Sequence, residues 1–320
     1  MAVAEVAASA WLRSWSGHAL GERRSWAVTT ILLFAALGLL AVLFLIVLTA
    51  TAYQRSELRP NYEAIGLGAA TNFFDTLGIG SFAPTTAYLK LRKLVPDSYM
   101  PAVLNAGHAL PTLVQALVFI HLIYIDPLLL LGCIAAAVNG ALIGTQLATK
   151  VATRHVQWMV GLAMLIAAAL YAATNLDLLP AGGDAFALGG AKFAVAVMAH
   201  LVLGMLMSFG IGLYAPSLVI LSLLGLSPTA AFPVMMGACA FLMPISGMGF
   251  VRSRRIDLKV VIGLAIGGVP AVMLAAYVVK QLPLAALRWG VVSVALYTAL
   301  LLLRSAAKSR RVARVPASPN

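Results

Sequence analysis

Acidic side chains are scarce in this chain, with ten Asp and Glu against 22 Lys and Arg in 320 residues. Charged residues of both signs make up 10%, well below the ~25% of a water-soluble domain, which excludes a soluble enzyme or binding module. Cysteine is almost absent. Cys133 and Cys239 lie in apolar runs without ligand-like spacing, so neither a disulfide framework nor a cysteine metal centre is expected. A glycine-rich nucleotide-binding signature and a recognised nucleophile motif are also missing, so no cofactor, metal or catalytic residue is expected.

What fills the chain is apolar: 62% of residues are hydrophobic. About 20 such residues cross a bilayer. By that measure the helices run over 27–50, 61–80 with a broken continuation to 94, 100–124, 127–149 and 155–175, then 186–209 with a broken continuation to 225, 229–250, 258–280 and 284–304. The expected fold is all-α, a polytopic membrane protein of about eight to nine transmembrane helices. Residues 1–26 read as a cytoplasmic or interfacial segment, and 27–50 as an extra helix. A first repeat occupies 61–175, a linker 176–185, a second repeat 186–304 and a basic tail 305–320. The run at 27–50 resembles a secretory leader ending near Ala50, but it is about twice the length of a leader's apolar core, so an uncleaved helix is expected.

The formal charge of +12 does not point to nucleic acid, because the basic residues gather in short loops and in the tail at Arg304, Lys308, Arg310, Arg311 and Arg314. Such clusters belong beside anionic lipid on the cytoplasmic side.

Residues 78–85 read GIGSFAPT and residues 210–217 read GIGLYAPS, a separation of 132. The register persists from Pro96 and Pro101 to Pro228 and Pro233. After one deletion it continues from Asp126 to Asp257, Gly132 to Gly263 and Trp158 to Trp289. This is a tandem repeat of two four-helix units with broken first helices. Whether the units run parallel or inverted depends on whether 61–94 crosses once or dips in and returns, and the loop charges at Lys90, Arg92, Lys93, Arg252, Arg254 and Arg255 do not decide it.

A lipid core offers no water to freed backbone groups, so a helix breaks there only where protein or a cavity receives them. Gly78, Gly80, Gly210 and Gly212 let backbone approach a ligand, while Pro84 and Pro216 suit the first turn of a new half-helix. Each motif is thus expected to present a half-helix N-terminus, which favours an anion. Ser81, Thr85, Tyr214 and Ser217 would add hydroxyl donors. Asn72, Asn105, His108 and Gln115 form a polar series, with Asn105 and His108 on one helix face. Asp75, three residues before the first break, is an isolated carboxylate in an apolar helix; with His108 it is the proton-coupling candidate. Met207 replaces it in the second unit.

The stretch from Phe73 to Pro84, FFDTLGIGSFAP, followed by a proline turn and Asn105, resembles the TauE/SafE family of sulfite and organosulfonate permeases over roughly residues 60–304. The resemblance implies duplicated four-helix units with glycine-rich breaks and a multi-pass protein of the bacterial plasma (inner) membrane. Gly78-Ile79-Gly80 and Asn105-Ala106 depart from the family's longer glycine run and its Asn-Lys pair, and these departures bear on substrate. The function expected is a secondary transporter of a small anion. It would act by alternating access, with the lipid bilayer as its other partner and a homodimer left open. A passive channel, a membrane assembly factor and an intramembrane hydrolase using Ser81 with His108 are the alternatives.

Overall fold

From Trp26 to Gln54 the sequence has neither charge nor proline, and in the computed structural model it belongs to one 35-residue helix, α1 (Leu20–Gln54), about 52 Å long. The structure describes residues 20–147 apart from Ile79, 183–252, 255–279, and parts of 158–178 and 289–307. The linker's centre, most of the N-terminal segment and the basic tail beyond residue 307 lie outside the described residues. Trp26, Leu33, Leu37, Phe44 and Leu48 of α1 turn inward, while Ile31, Leu32, Leu39, Val42 and Ile46 are exposed. Apolar side chains on the outward face as well suit lipid, not water.

Asn61 starts the next element by accepting the Ala64 N–H at 3.0 Å, with Glu63 in the first turn, a conventional helix start. Helix α2 (Tyr62–Thr76) ends at Gly78, and a second half-helix, α3 (Phe82–Arg92), follows. After a 3₁₀ turn at Asp97–Tyr99 come α4 (Met100–Gly107) and α5 (Ala109–Leu122), adjoining at His108 to make a single span. Helix α6 (Pro127–Leu147) closes the fully described part of the first unit.

The second unit repeats this order in α7 (Gly190–Met207), α8 (Tyr214–Leu223), α9 (Pro228–Arg252) and α10 (Leu258–Val279). The equivalent acids do equivalent work: Asp126 accepts the Leu129 N–H at 2.7 Å and Asp257 the Val260 N–H at 3.0 Å, capping α6 and α10. The chain is an all-α polytopic membrane protein, and six helices among the described residues are long and apolar enough to cross a bilayer.

Each broken helix is a hairpin that dips in and returns. The Arg92 Nε at the end of α3 lies 2.6 Å from Glu63 Oε1 at the start of α2, and Tyr88 donates to the same oxygen at 2.8 Å. In the second unit Ala185, just before α7, bonds Gly225 and Ser227, just after α8. The hairpins enter from opposite ends of the bundle. The first adjoins the turn between α9 and α10, where the Asn61 N–H donates to Lys259 O and Arg55, just ahead of the hairpin, donates to Val251 O; the second adjoins the turn between α5 and α6, where the Asp126 N–H donates to Phe186 O. Helix α1 spans between them, with Trp26 against Tyr124 at one end and Arg55 against Arg252 O at the other. Equivalent spans α5 and α9 therefore run antiparallel, the geometry of an inverted repeat.

The two sequence repeats are not separate bodies. The most extensive packing joins α2 to α10 and α6 to α7, so each unit's broken helix lies against the other unit's third helix. In lipid this packing has little hydrophobic drive and depends on close approach at small residues. A Cβ on Gly267 would collide with Ile65 O, and one on Gly204 or Gly140 with Ala137 O or Leu201 O.

Candidate functional site

The breaks form where the backbone takes positive φ. Gly78 and Gly80 have φ of 92° and 85°, conformations costly for any residue with a Cβ, and Gly210 has φ of 79°. The Gly78 N–H still reaches Asp75 O at 2.9 Å, and the Gly210 N–H reaches Met207 O at 3.0 Å, so both helices finish their last turn before the chain turns away. Pro84 and Pro216 are the third residues of α3 and α8, in the first turn, where the missing N–H costs nothing.

Asp75 lies at the last turn of α2, almost wholly buried. Its Oδ1 accepts the Ser81 N–H at the start of α3, 2.5 Å away, and its Oδ2 accepts the Gln115 amide at 3.0 Å. Gln115, on α5, also donates to Thr76 Oγ1 at 2.9 Å and accepts the Tyr214 hydroxyl from the first residue of α8. One amide side chain thus ties the first break to the second.

Two further pairs brace the half-helices. Thr85 Oγ1 lies 3.1 Å from His108 Nε2, and the repeat-equivalent Ser217 Oγ lies 3.0 Å from His200 Nε2. His200 Nδ1 faces Ala196 O at 2.8 Å, so it must donate there. His108 Nδ1 faces Asn72 Oδ1 at 3.0 Å, while the Asn72 amide nitrogen donates to Gly68 O. On a neutral ring each Nε2 then accepts from the hydroxyl. The same job is done from different helices: His108 comes from the α4–α5 junction, and His200 from α7.

Between the breaks is a narrow cavity of about 20 Å³, lined from one side by Asp75, Gly80, Ser81 and Phe82 and from the other by Met207, Gly212, Leu213 and Tyr214. Thr112, Cys239 and Met243 complete the wall. That volume holds about one water. No family model matches this chain, and no curated protein or solved structure is significantly similar to it. The site therefore rests on its own geometry.

Of the residues singled out from sequence, Asp75, Gly80, Ser81, Gly212 and Tyr214 meet at this cavity. Gly78, Pro84, Gly210 and Pro216 shape the breaks without lining it, while Thr85, His108 and Ser217 are engaged in the bracing pairs. Asn105 does not join His108 despite sharing its helix face. Its amide nitrogen donates to Pro101 O at 2.8 Å, and its buried Oδ1 has no partner among the described residues. Gly212 differs from Gly80 in lacking a positive φ, and a Cβ there would make ordinary van der Waals contact with Phe82 Cβ, at 3.4 Å. Trp158 and Trp289 are both exposed.

Sequence reasoning undervalued two side chains. Gln115 stood in the polar series without a role, although an amide one helical turn pair from His108 is a costly residue to bury in lipid. Thr112, four residues after His108 and so on its helix face, carried the same signal. Cys239, read as a small buried side chain, is buried and also lines the cavity.

Proposed function

We propose that the protein is a secondary transporter for a small anion, a permease like those of the TauE/SafE family, acting on sulfite, an organosulfonate or a related carboxylate in a bacterial plasma membrane. The observation that carries this reading is the cavity shared by both breaks, with half-helix starts reaching it from opposite ends of the bundle. Its small volume favours a carrier in a closed state over a standing pore, because a sulfonate needs more room than one water. The bodies that move are composite. Helices α2, α3 and α10 form one and α6, α7 and α8 the other, since these packings cross the sequence repeats. Gradients supply the energy, and the protein is not an enzyme.

Reconstituted protein loaded with unlabelled sulfite, sulfoacetate, taurine or a short carboxylate should accumulate the labelled external anion by counterflow. Gly212→Leu should abolish that uptake while leaving the expressed protein monodisperse, because a side chain starting from a Cβ already in contact with Phe82 would fill the small cavity that Gly212 lines. Full uptake by this variant would refute the paired-break site, and flux without counterflow would favour a channel.

A further inference from the structure

The two half-helix starts differ in what their backbone amides hold. At the first, the Ser81 N–H already holds a carboxyl oxygen, Oδ1 of Asp75. At the second, the residue in Asp75's place is Met207 and the residue in Ser81's place is Leu213. Among the described residues the backbone N–H groups of Gly212, Leu213, Tyr214 and Ala215 have no hydrogen-bond acceptor. Among the described residues the shared cavity has one carboxylate on its wall and no Lys, Arg or His. An anion entering it meets open amides on one side and a negative charge in low dielectric on the other.

We propose that Asp75 is a built-in anion which the substrate displaces, so that a monovalent anion and one proton occupy the cavity together. This deepens the anion-transport reading and rests on it. The proton arrives from water on the entry side and forms an O–H bond at Asp75 Oδ1. That oxygen then ceases to accept from Ser81, while Oδ2 keeps the Gln115 bond. The freed Ser81 N–H turns to the substrate and completes, with the second break, a cradle of backbone donors. On exit the carboxyl releases its proton to water and recaptures Ser81, closing the site behind the departing anion. Proton and monovalent anion cross together, so the cycle is electroneutral.

The other titratable groups around Asp75 do not substitute for it. Tyr214 from α8 and Cys239 from α9 share the cavity wall, and α5 presents neutral Thr112 and Gln115. Helix α10 carries Lys259 and Tyr277 only toward its ends, α2 has Glu63 in its first turn, and α3 has Tyr88, Lys90 and Arg92 beyond its midpoint. His108 is held by Thr85 and Asn72, and on α7 Lys192 lies toward Gly225 while His200 is held by Ser217.

The test uses full-length protein in liposomes with an internal pH dye, and labelled methanesulfonate and isethionate, which stay ionised from about pH 5 to about pH 9 so that any proton moved belongs to the protein. Wild type should move one proton per anion, without response to membrane potential, and on the alkaline limb its apparent affinity should fall about tenfold per pH unit. Asp75→Asn, permanently neutral, should bind both sulfonates with a flat pH profile and carry no proton, whereas Asp75→Glu should restore the slope. Binding is followed in parallel as thermal stabilisation, so a variant that binds without turning over is still read. Asp75→Ser takes the place of Asp75→Asn if the latter is not monodisperse. A pH profile shared by wild type and the neutral variant, or proton-free uptake by wild type, would overturn the role of Asp75 and leave the anion carrier standing. Absence of saturable uptake and of stabilisation by either sulfonate at every pH would overturn both.

Discussion

Replacing Gln115 by Leu tests whether one side chain fastens the two breaks together. The substitution keeps approximate volume and removes three hydrogen bonds, to Asp75, Thr76 and Tyr214. Thr76 keeps its bond to Asn72 O at 2.8 Å, and Asp75 Oδ1 keeps Ser81, so two groups lose their partner: Asp75 Oδ2 and the Tyr214 hydroxyl. Each buried group left unsatisfied costs ~1–3 kcal/mol. Interhelical bonds in lipid average ~0.6 kcal/mol, which holds the total toward the lower end, about 2–4 kcal/mol. Tyr214→Phe, losing one bond, should cost about 1 kcal/mol. In the double variant the Tyr214 hydroxyl is absent, so the costs overlap and a coupling of about 1 kcal/mol should remain. Reversible denaturation in mixed micelles measures all three. Costs that add to within about 0.3 kcal/mol would show the breaks to be independent and refute the fastening.

Gly204→Val should lower thermal stability or folded yield sharply, because its Cβ would strike the Ala137 carbonyl; Gly66→Ala, with nothing near its Cβ, should raise helix stability by roughly 0.5–1 kcal/mol. Equal effects of the two in a melting assay would refute the close α6–α7 packing. In variants each carrying one added cysteine, Glu63→Cys and Arg92→Cys should be labelled by an impermeant maleimide from one side of the membrane, and Ala185→Cys and Gly225→Cys from the other. The native Cys133 and Cys239 are buried and give little background; labelling of all four sites from one side would contradict hairpins of opposite entry. His108→Ala, which strands Thr85 and Asn72, should destabilise by about 1–3 kcal/mol, and more than Ser217→Ala, which removes a single hydroxyl bond. The reverse order in the same denaturation assay would assign the bracing to the second pair.

Much of the architecture was legible because lipid makes few demands but strict ones. A charge-free run must be a helix, a glycine and proline cluster inside such a run must be a break, and Asp126 and Asp257 just before apolar runs cap helices, as both do. The breaks themselves were legible from Gly78, Gly80 and Gly210, each of which takes the positive φ that a side chain resists. Partnerships at the site were harder to read. The bond of His200 was not legible because its partner Ser217 lies beyond the turn of a hairpin, and Gln115 looked idle because Asp75 and Tyr214 come to it from two different hairpins.

By itself the sequence determined that the chain crosses a bilayer, that it is duplicated, and where each copy is interrupted, since hydrophobic length and backbone freedom are local properties. Only the tertiary structure decided that the interruptions enter from opposite ends, that the copies exchange helices, and that Asp75 holds the amide of Ser81. These depend on which small residues let which helices approach, and on where one long side chain can reach once they have.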